Sequence, residues 1–378
     1  MNLKKRSENS DLRIEKNKGK KRLPKFTIAL YILAAISAVL YVIFLCSEAF
    51  SDFFNRYIAS VLRAVLAYLT GWIPFSLAEM FVILVPLIIV ALVIYANRRY
   101  ADSWRDVFVF CGIILSFAGL FFSLFTFGFA SAYRGTRLNE KLGIDRSDVS
   151  AEELYETAVI LAENVNREAA SVAFREGGFS VMPYSYYDMN DKLIEAYDIA
   201  CDKYSFVQRL DSKLKPVMLS ELMSYTHITG VYSFFTGEAN INVAFPDYTI
   251  PYTAAHEFAH QRGIAREDEA NFMAFLVCIE SEDAYIRYCG YLNLYEYVAS
   301  ALYSADQQLY REASAKLNTE VKYEMSAYSE FYEKYRHSVA ADVSGAVNNT
   351  FLTIQGTEGT KSYGMVVDLA VAYYKSVR

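Results

Sequence analysis

The chain has few cysteines and no net positive charge. The 378 residues include five cysteines, and the spacing of those outside the apolar segments (Cys201, Cys278 and Cys289) fits no disulfide framework and selects no pairing. The net charge is −6 at pH 7, and no basic face suited to tracking a phosphate backbone is evident beyond the N-terminus. We therefore do not expect nucleic acid as a partner. The sequence also contains no internal repeat.

Apolar residues are abundant instead. They make up 54% of the sequence, and this fraction predicts a membrane protein. Three nearly uncharged runs are long enough to cross a hydrocarbon core of about 30 Å. Within a membrane domain at 26–132, we predict transmembrane helices at about 26–46, 77–96 and 107–130. Residues 47–76 mix aromatic side chains with Arg56 and Arg63, which predicts an amphipathic interfacial helix.

Positive charge is concentrated on one side of these segments. Residues 1–25 are rich in lysine and arginine and nearly devoid of apolar side chains, which predicts a disordered cytoplasmic tail. The loop after the second span carries Arg98, Arg99 and Arg105. By the positive-inside rule both segments face the cytoplasm, so residues 133–378 form an extracytoplasmic domain at the cell membrane, and the lipid bilayer is a partner.

The domain at 133–378 has mostly helical apolar spacing. One stretch differs, because Ile241, Val243 and Phe245 alternate with smaller or polar residues before Pro246 ends the pattern, which predicts a strand. We expect it to present an edge, around Asn240, Ile241 and Asn242, to which an extended peptide substrate could pair. A purely structural strand is the alternative.

Histidine is rare, yet two of the four histidines form an H-E-x-x-H motif. His256 and His260 stand four residues apart, so on a helix both imidazoles project from one face and can share one cation. Zinc suits nitrogen ligands, and Glu257 is positioned to take a proton from a water molecule at an open coordination position. We expect Thr253 to cap this helix and Gly263 to end it.

A third protein ligand is expected from the helix that follows. Its first turn carries Glu267, Asp268 and Glu269. Glu267 is favoured because Asn271 then lies one turn further on the same face and can hydrogen-bond a ligand imidazole. Glu269 is the second choice, and acids in a first helical turn also commonly serve only to complement the helix dipole.

These motifs resemble known families. The E-x-x-A-N run at 267–271 resembles the E-x-x-A-D of gluzincin peptidases, which implies that Glu267 binds zinc and that Asn271 replaces the orienting aspartate. The G-E-A-N-I-N run at 237–242, the histidine motif, the E-D-E-A-N-F run at 267–272 and S-Y-G at 362–364 together resemble a bacterial membrane family catalogued as domain of unknown function 3810. This resemblance implies a membrane-bound metallopeptidase and supplies no substrate.

The sequence thus predicts a mainly α protein, in which three transmembrane helices precede a mostly helical, zincin-like extracytoplasmic domain with a small β element. The predicted function is hydrolysis of peptide or protein substrates in the cell envelope, with one Zn²⁺ as cofactor. A non-enzymatic membrane scaffold with a structural or vestigial metal site is the alternative. An intramembrane protease is disfavoured, because the motif follows the last span by about 120 residues of polar sequence.

Overall fold

The structure, a computed structural model, describes residues 21–176 and 178–377. Most of the predicted basic tail, at 1–20, lies outside this range. The described chain forms two compact units. The first contains the chain up to Leu40 together with Phe81–Leu124, and the second contains Tyr41–Met80 and the chain from Phe125 onward.

Helices dominate the described chain. In order they are α1 (Lys25–Cys46), α2 (Glu48–Phe54), α3 (Ser60–Gly71), α4 (Leu77–Tyr100), α5 (Trp104–Gly128), α6 (Leu138–Leu142), α7 (Ala151–Ala169), α8 (Tyr186–Lys203), α9 (Ser220–Ser224), α10 (Thr249–Gln261), α11 (Glu267–Glu280), α12 (Ala284–Ala305), α13 (Gln307–Ala315), α14 (Thr319–Glu333), α15 (Val339–Ile354) and α16 (Val366–Ser376). The strands are β1 (Leu214–Pro216), β2 (Gly230–Ser233) and β3 (Glu238–Ile241). A π-helical turn spans Asn55–Ala59, and 3-10 turns span Ala130–Tyr133 and Gly359–Met365.

The three longest apolar helices are α1, α4 and α5. Their lengths of 22, 24 and 25 residues and their mean hydropathies of 2.7, 3.0 and 2.5 suffice to cross a bilayer. Within the first unit, the Tyr31 hydroxyl donates to the Gly112 carbonyl at 2.7 Å. The first two predicted spans fall within α1 and α4, and α4 continues four residues further than expected. The third prediction, 107–130, extends two residues beyond the end of α5 at Gly128. These helices are compatible with a membrane environment.

The segment between α1 and α4 differs from the single interfacial helix that we expected. It forms α2, the π-helical turn and α3, and it belongs to the second unit. Arg63 on α3 is buried, and its guanidinium donates to the Gly128 carbonyl and to the Asn55 side chain, each at 2.9 Å. The sequence pattern did not reveal this inward-facing arginine, because its partners include a backbone carbonyl 65 residues away.

A three-stranded sheet lies in the second unit, with β3 in the middle. Strand β1 pairs with β3 in parallel, and β2 pairs with β3 in antiparallel register, with Gly230 opposite Ile241. The expectation of an edge strand around Asn240, Ile241 and Asn242 is therefore wrong. Both sides of β3 are already paired, and Asn242 follows the strand and donates its N–H to the Thr229 carbonyl. The edges belong to β1 and β2.

The core of the second unit surrounds α10 and α11, which are buried along nearly their whole length. Helices α7, α8, α12 and α16 contribute to the same hydrophobic cluster. Tyr285, Tyr288 and Tyr295 on α12 are buried and belong to this cluster. Because the surroundings are apolar on several sides, α10 and α11 are fixed in position relative to each other.

Candidate metal centre

Helix α10 carries the two motif histidines. It begins at Thr249, four residues before the predicted cap at Thr253, and Pro251 occupies its first turn, where a missing N–H costs no helical hydrogen bond. Gly263 adopts a left-handed conformation with φ of +85°, as predicted, and the Ile264 N–H then bonds back to the Ala259 carbonyl at 3.0 Å. This turn reverses the chain into α11, which begins at Glu267.

The reversal brings Glu267 against both imidazoles. Its Oε2 atom lies 3.1 Å from Nε2 of His256 and 3.4 Å from Nε2 of His260. One ligand atom from each of the three residues falls within 4.8 Å of the others, so the group could hold a metal ion. The two rings are perpendicular, with centroids 4.5 Å apart. Two nitrogens and one carboxylate oxygen thus converge from two helices.

The remaining ring nitrogens are in different environments. Nδ1 of His260 lies 2.8 Å from the Ile264 carbonyl, and because a carbonyl only accepts, this nitrogen must carry the proton of the bond. In the neutral ring Nε2 then presents its lone pair towards Glu267. Nδ1 of His256 is buried and has no hydrogen-bond partner within the described chain.

Charge and burial act against each other at this cluster. Burial alone would raise the pKa of Glu267, but His260 and His256 outweigh it and hold that pKa well below its usual range. Burial alone would lower the pKa of His260, but Glu267 raises it to about 9. The carboxylate is therefore ionised and pairs with a protonated His260 ring, so a metal ion that bound here would displace that proton.

Glu257 is also on α10, and its side chain lies beside this group, on the side of α10 that faces β2. Burial raises its pKa above the usual range, although His256 and His260 partly oppose the shift, and the Tyr232 backbone also hydrogen-bonds it. Its Oε2 atom is buried and has no hydrogen-bond partner in the described part of the chain. A carboxylate with a raised pKa and one free oxygen is suited to accept and return a proton.

The other predicted acids have structural partners. Glu269 accepts hydrogen bonds from the Leu138 N–H and from Arg266, and Asp268 pairs with Arg146 at 2.8 Å. The structure therefore brings Glu267, and neither Glu269 nor Asp268, to the histidines. In physical terms, the neighbouring arginines already neutralise the other two carboxylates.

Asn271 does not lie where we expected. Its amide nitrogen donates to the Tyr297 hydroxyl and to the Tyr363 carbonyl, each at 3.3 Å. A bond from Asn271 to a ligand imidazole does not occur among the hydrogen bonds of the described residues. Instead, the Ile264 carbonyl orients His260, and Asn271 joins α11 to α12 and to the 3-10 turn at Gly359–Met365.

Three tyrosines near the cluster were not predicted. The negative charge of Glu267 adds to burial in raising the pKa values of Tyr133, Tyr297 and Tyr363, and that of Tyr297 rises to about 12. Tyr363 also responds to Glu257, so it is near both carboxylates. Its S-Y-G run was noted in the sequence, but no spacing rule connects it with a motif about a hundred residues earlier.

The other two histidines lie apart from this group. Both ring nitrogens of His227 have partners, because Nδ1 bonds the Tyr332 hydroxyl at 2.7 Å and Nε2 bonds the Tyr335 carbonyl at 2.8 Å. His337 is exposed. Neither residue belongs to the group of potential metal ligands that the structure describes.

Comparison with known proteins places this architecture in one family. The chain belongs to the family described as "Protein of unknown function (DUF3810)", which matches residues 50–371. The match includes α10, α11 and all three strands. No curated protein and no solved structure matches the chain.

Proposed function

We propose that this protein is a membrane-anchored zinc metallopeptidase with a gluzincin-like motif and a zincin-like domain outside the cytoplasmic membrane. The observation that carries the proposal is the convergence of His256, His260 and Glu267, with Glu257 beside them. The same four residues occur in the order and spacing that metal-assisted hydrolysis requires.

The donor set fits zinc. Two imidazole nitrogens and one carboxylate oxygen match the ligands of a catalytic zinc site, which keeps a position open. Oε2 of Glu267 is buried and lies 3.1 Å from Nε2 of His256 and 3.4 Å from Nε2 of His260, so one cation could bind all three atoms. When bound, zinc supplies Lewis acidity to groups at its open position.

Glu257 moves the proton. Its free oxygen, Oε2, accepts a proton from the attacking water and afterwards delivers it to the leaving amine of the peptide. The raised pKa supports both steps, because a carboxylate of higher pKa is the stronger base towards water, and its conjugate acid can still return the proton to the more basic amine. A purely structural metal site would give this buried carboxyl group no task.

We assign Tyr363 as the hydrogen-bond donor to the carbonyl oxygen of the peptide bond that is cleaved. Burial and the nearby carboxylates raise its pKa, so the phenol keeps its proton at neutral pH and remains a hydrogen-bond donor. A donor fixed where negative charge develops lowers the barrier to hydrolysis. Asn348 donates to the Tyr363 hydroxyl at 3.2 Å, which helps to orient the phenol.

Strand β2 is the edge that supports peptide binding. The Asn242 N–H bonds the Thr229 carbonyl, and hydrogen-bonded pairs alternate along an antiparallel ladder, so the backbone groups of Gly230 and Tyr232 point away from β3. The backbone bond from Tyr232 to Glu257 agrees with this direction. An extended substrate pairing with β2 would pass directly beside Glu257.

The location outside the cytoplasm rests on the arginines between α4 and α5. Arg98, Arg99 and Arg105 favour a cytoplasmic position for this loop. If all three apolar helices span the membrane, the chain after α5 then lies on the extracytoplasmic side of the membrane. Peptides or proteins of the cell envelope are the corresponding substrates.

Zinc content and peptide cleavage by the full-length protein in detergent test the proposal together. We expect about one zinc per wild-type chain, loss of zinc in His256→Ala and retention of zinc in His337→Ala. Glu257→Gln should keep its zinc and lose cleavage of a fluorogenic peptide library. Stoichiometric zinc in His256→Ala would refute the metal assignment, and full activity in Glu257→Gln would refute the peptidase.

A further inference from the structure

A cavity of about 260 Å³ lies in the second unit and shares no lining residue with the candidate metal centre. It is lined by residues of α2, the π-helical turn and α3, by the loop at 205–208, and by Lys141 and Arg262. No role in the proposed hydrolysis falls on these residues. The cavity thus needs its own explanation.

The lining is strongly cationic. It contains Arg56, Arg63, Lys141 and Arg262, and its only acid is Asp52. Asp52 is already occupied, because it pairs with Lys141 at 3.1 Å and accepts a hydrogen bond from the Thr136 N–H. The three arginines form no ion pair within the part of the chain that the structure describes. The cavity's own acid therefore neutralises none of these three arginines.

Two of these arginines are fixed in place by backbone carbonyls. Arg63 donates to Gly128, and Arg262 donates to Leu210 at 2.6 Å, so both guanidinium groups are pre-oriented. Both are nearly inaccessible to solvent, at 1% and 3% exposed, and each retains an Nε atom without a hydrogen-bond partner among the described residues. Arg262 also stacks over the Tyr197 ring, with Cζ 3.9 Å from the ring centroid. Burying cations without an ion-pair partner is costly, and a bound anion would offset part of this cost.

Gln208 provides a second kind of unsatisfied polar group in the cavity. Its amide nitrogen donates to the Ser60 carbonyl at 3.1 Å, whereas its amide oxygen is buried and unpartnered in the described chain. An amide oxygen accepts hydrogen bonds, so a ligand that satisfied this cavity would present a hydrogen-bond donor as well as an anionic group. A phosphodiester that carries hydroxyl groups offers both.

The same segment presents apolar side chains to the outside. Between α1 and α4 the exposed large residues include Phe53, Tyr57, Val61, Tyr68, Leu69 and Trp72, and Trp72 is 90% exposed. Aromatic and aliphatic side chains exposed between two apolar helices of spanning length are typical of a surface at the lipid headgroup level. Phospholipids supply phosphate groups at that level.

We propose that this cavity binds the phosphate group of an anionic phospholipid, with Arg56 and the buried Arg63 and Arg262 opposing its charge. Arg56 is exposed and completes the site from the membrane-facing segment. Clusters of basic side chains beside membrane spans recognise lipid phosphates in this way. The proposal is independent of the metal and of peptide hydrolysis.

Native mass spectrometry of the full-length protein in neutral detergent tests it with three probes: phosphatidylglycerol, phosphatidylcholine and inorganic phosphate. We expect phosphatidylglycerol to bind about tenfold more tightly than phosphatidylcholine. Arg56→Gln should weaken it about fivefold, because one charged contact is lost. Ser205→Phe fills the cavity without changing its charge and should weaken binding at least as much, whereas Arg311→Gln, an exposed arginine elsewhere, should not.

The outcomes separate the sources of the anion. Equal binding of the two lipids would overturn the proposal, and so would wild-type affinity in both Arg56→Gln and Ser205→Phe. Binding of inorganic phosphate that depends on Arg56, without binding of phosphatidylglycerol, would overturn the lipid and identify the free anion as the ligand. Folding of each variant is checked by its melting temperature.

Discussion

Gly230 and Glu257 are in direct contact across the gap between β2 and α10. A methyl group on Gly230 would come within 2.5 Å of Oε1 of Glu257 and within 2.8 Å of the Thr253 side chain. The absence of a side chain at residue 230 is therefore what allows the glutamate to lie beside the histidines.

Gly230→Ala tests this relationship. The added methyl group should displace the Glu257 carboxylate, and a displacement of about 1 Å should lower kcat by roughly 100-fold. Zinc content should stay unchanged, because the atoms nearest to the added methyl group belong to Glu257 and Thr253, and neither residue is a proposed metal ligand. Gly345→Ala is the matched control, since its methyl group meets nothing within 4 Å. Equal kcat in both variants would show that the contact does not matter.

Tyr363→Phe tests the hydrogen-bond donor. Loss of one donor to developing charge should lower kcat by roughly 10²- to 10³-fold, with zinc content and the melting temperature little changed. Tyr323→Phe, an exposed tyrosine on α14, is the control. A change in KM alone would contradict a role in the transition state and would indicate substrate binding instead.

Glu296→Gln tests a buried acid outside the site. Glu296 is partly buried beside Tyr248, whose hydroxyl donates to it at 3.1 Å, and burial raises its pKa to about 7. An acid whose pKa is higher in the folded state than in the unfolded state stabilises the folded protein most below the unfolded pKa, here about 4.5. That contribution is lost as the pH rises through the folded pKa of about 7. Denaturant unfolding should therefore show the variant more stable than wild type at pH 8, by about 2 kcal/mol.

The same comparison at pH 4 provides the internal control for Glu296→Gln. There the carboxyl group is protonated in both states, so the two proteins should differ little. Glu282→Gln removes an exposed acid and should leave the pH dependence unchanged. A wild-type stability that does not fall between pH 4.5 and 7 relative to the variant would contradict the shift.

Orientation in the membrane can be measured by cysteine labelling. In a chain whose five cysteines are replaced by serine, Glu330→Cys should react with a membrane-impermeant maleimide in intact cells, because α14 belongs to the proposed external domain. Ser103→Cys, in the loop between α4 and α5, should react only after permeabilisation. The opposite pattern would place the candidate metal centre in the cytoplasm.

The features that the sequence predicted depend on local spacing. Helical periodicity alone brings His256 and His260 to one face, and apolar runs alone mark α1, α4 and α5. The αL glycine at residue 263 could likewise be predicted, because ending a helix is a local event.

The features that it missed depend on pairing between distant segments. Strand β3 looked like an edge because nothing local reveals that Leu214–Pro216 will pair with it in parallel. The sequence predicted a hydrogen bond from Asn271 to a ligand imidazole, because only the folded chain brings Tyr297 and Tyr363 to the Asn271 amide. Arg63 looked interfacial because its carbonyl partner lies on another helix.

The segment at 41–80 is also a structural support for the candidate metal centre. The Asn55 amide donates to the Gly263 carbonyl at 2.9 Å, at the turn that follows the motif histidines. Glu238 on β3 accepts the N–H groups of Leu77 and Ala78 at the start of α4. A soluble fragment cut at residue 133 would lose these contacts, expose Glu238 and leave the Gly263 turn without its brace. A fragment chosen by hydropathy alone would therefore lack part of the interior of its own folded domain.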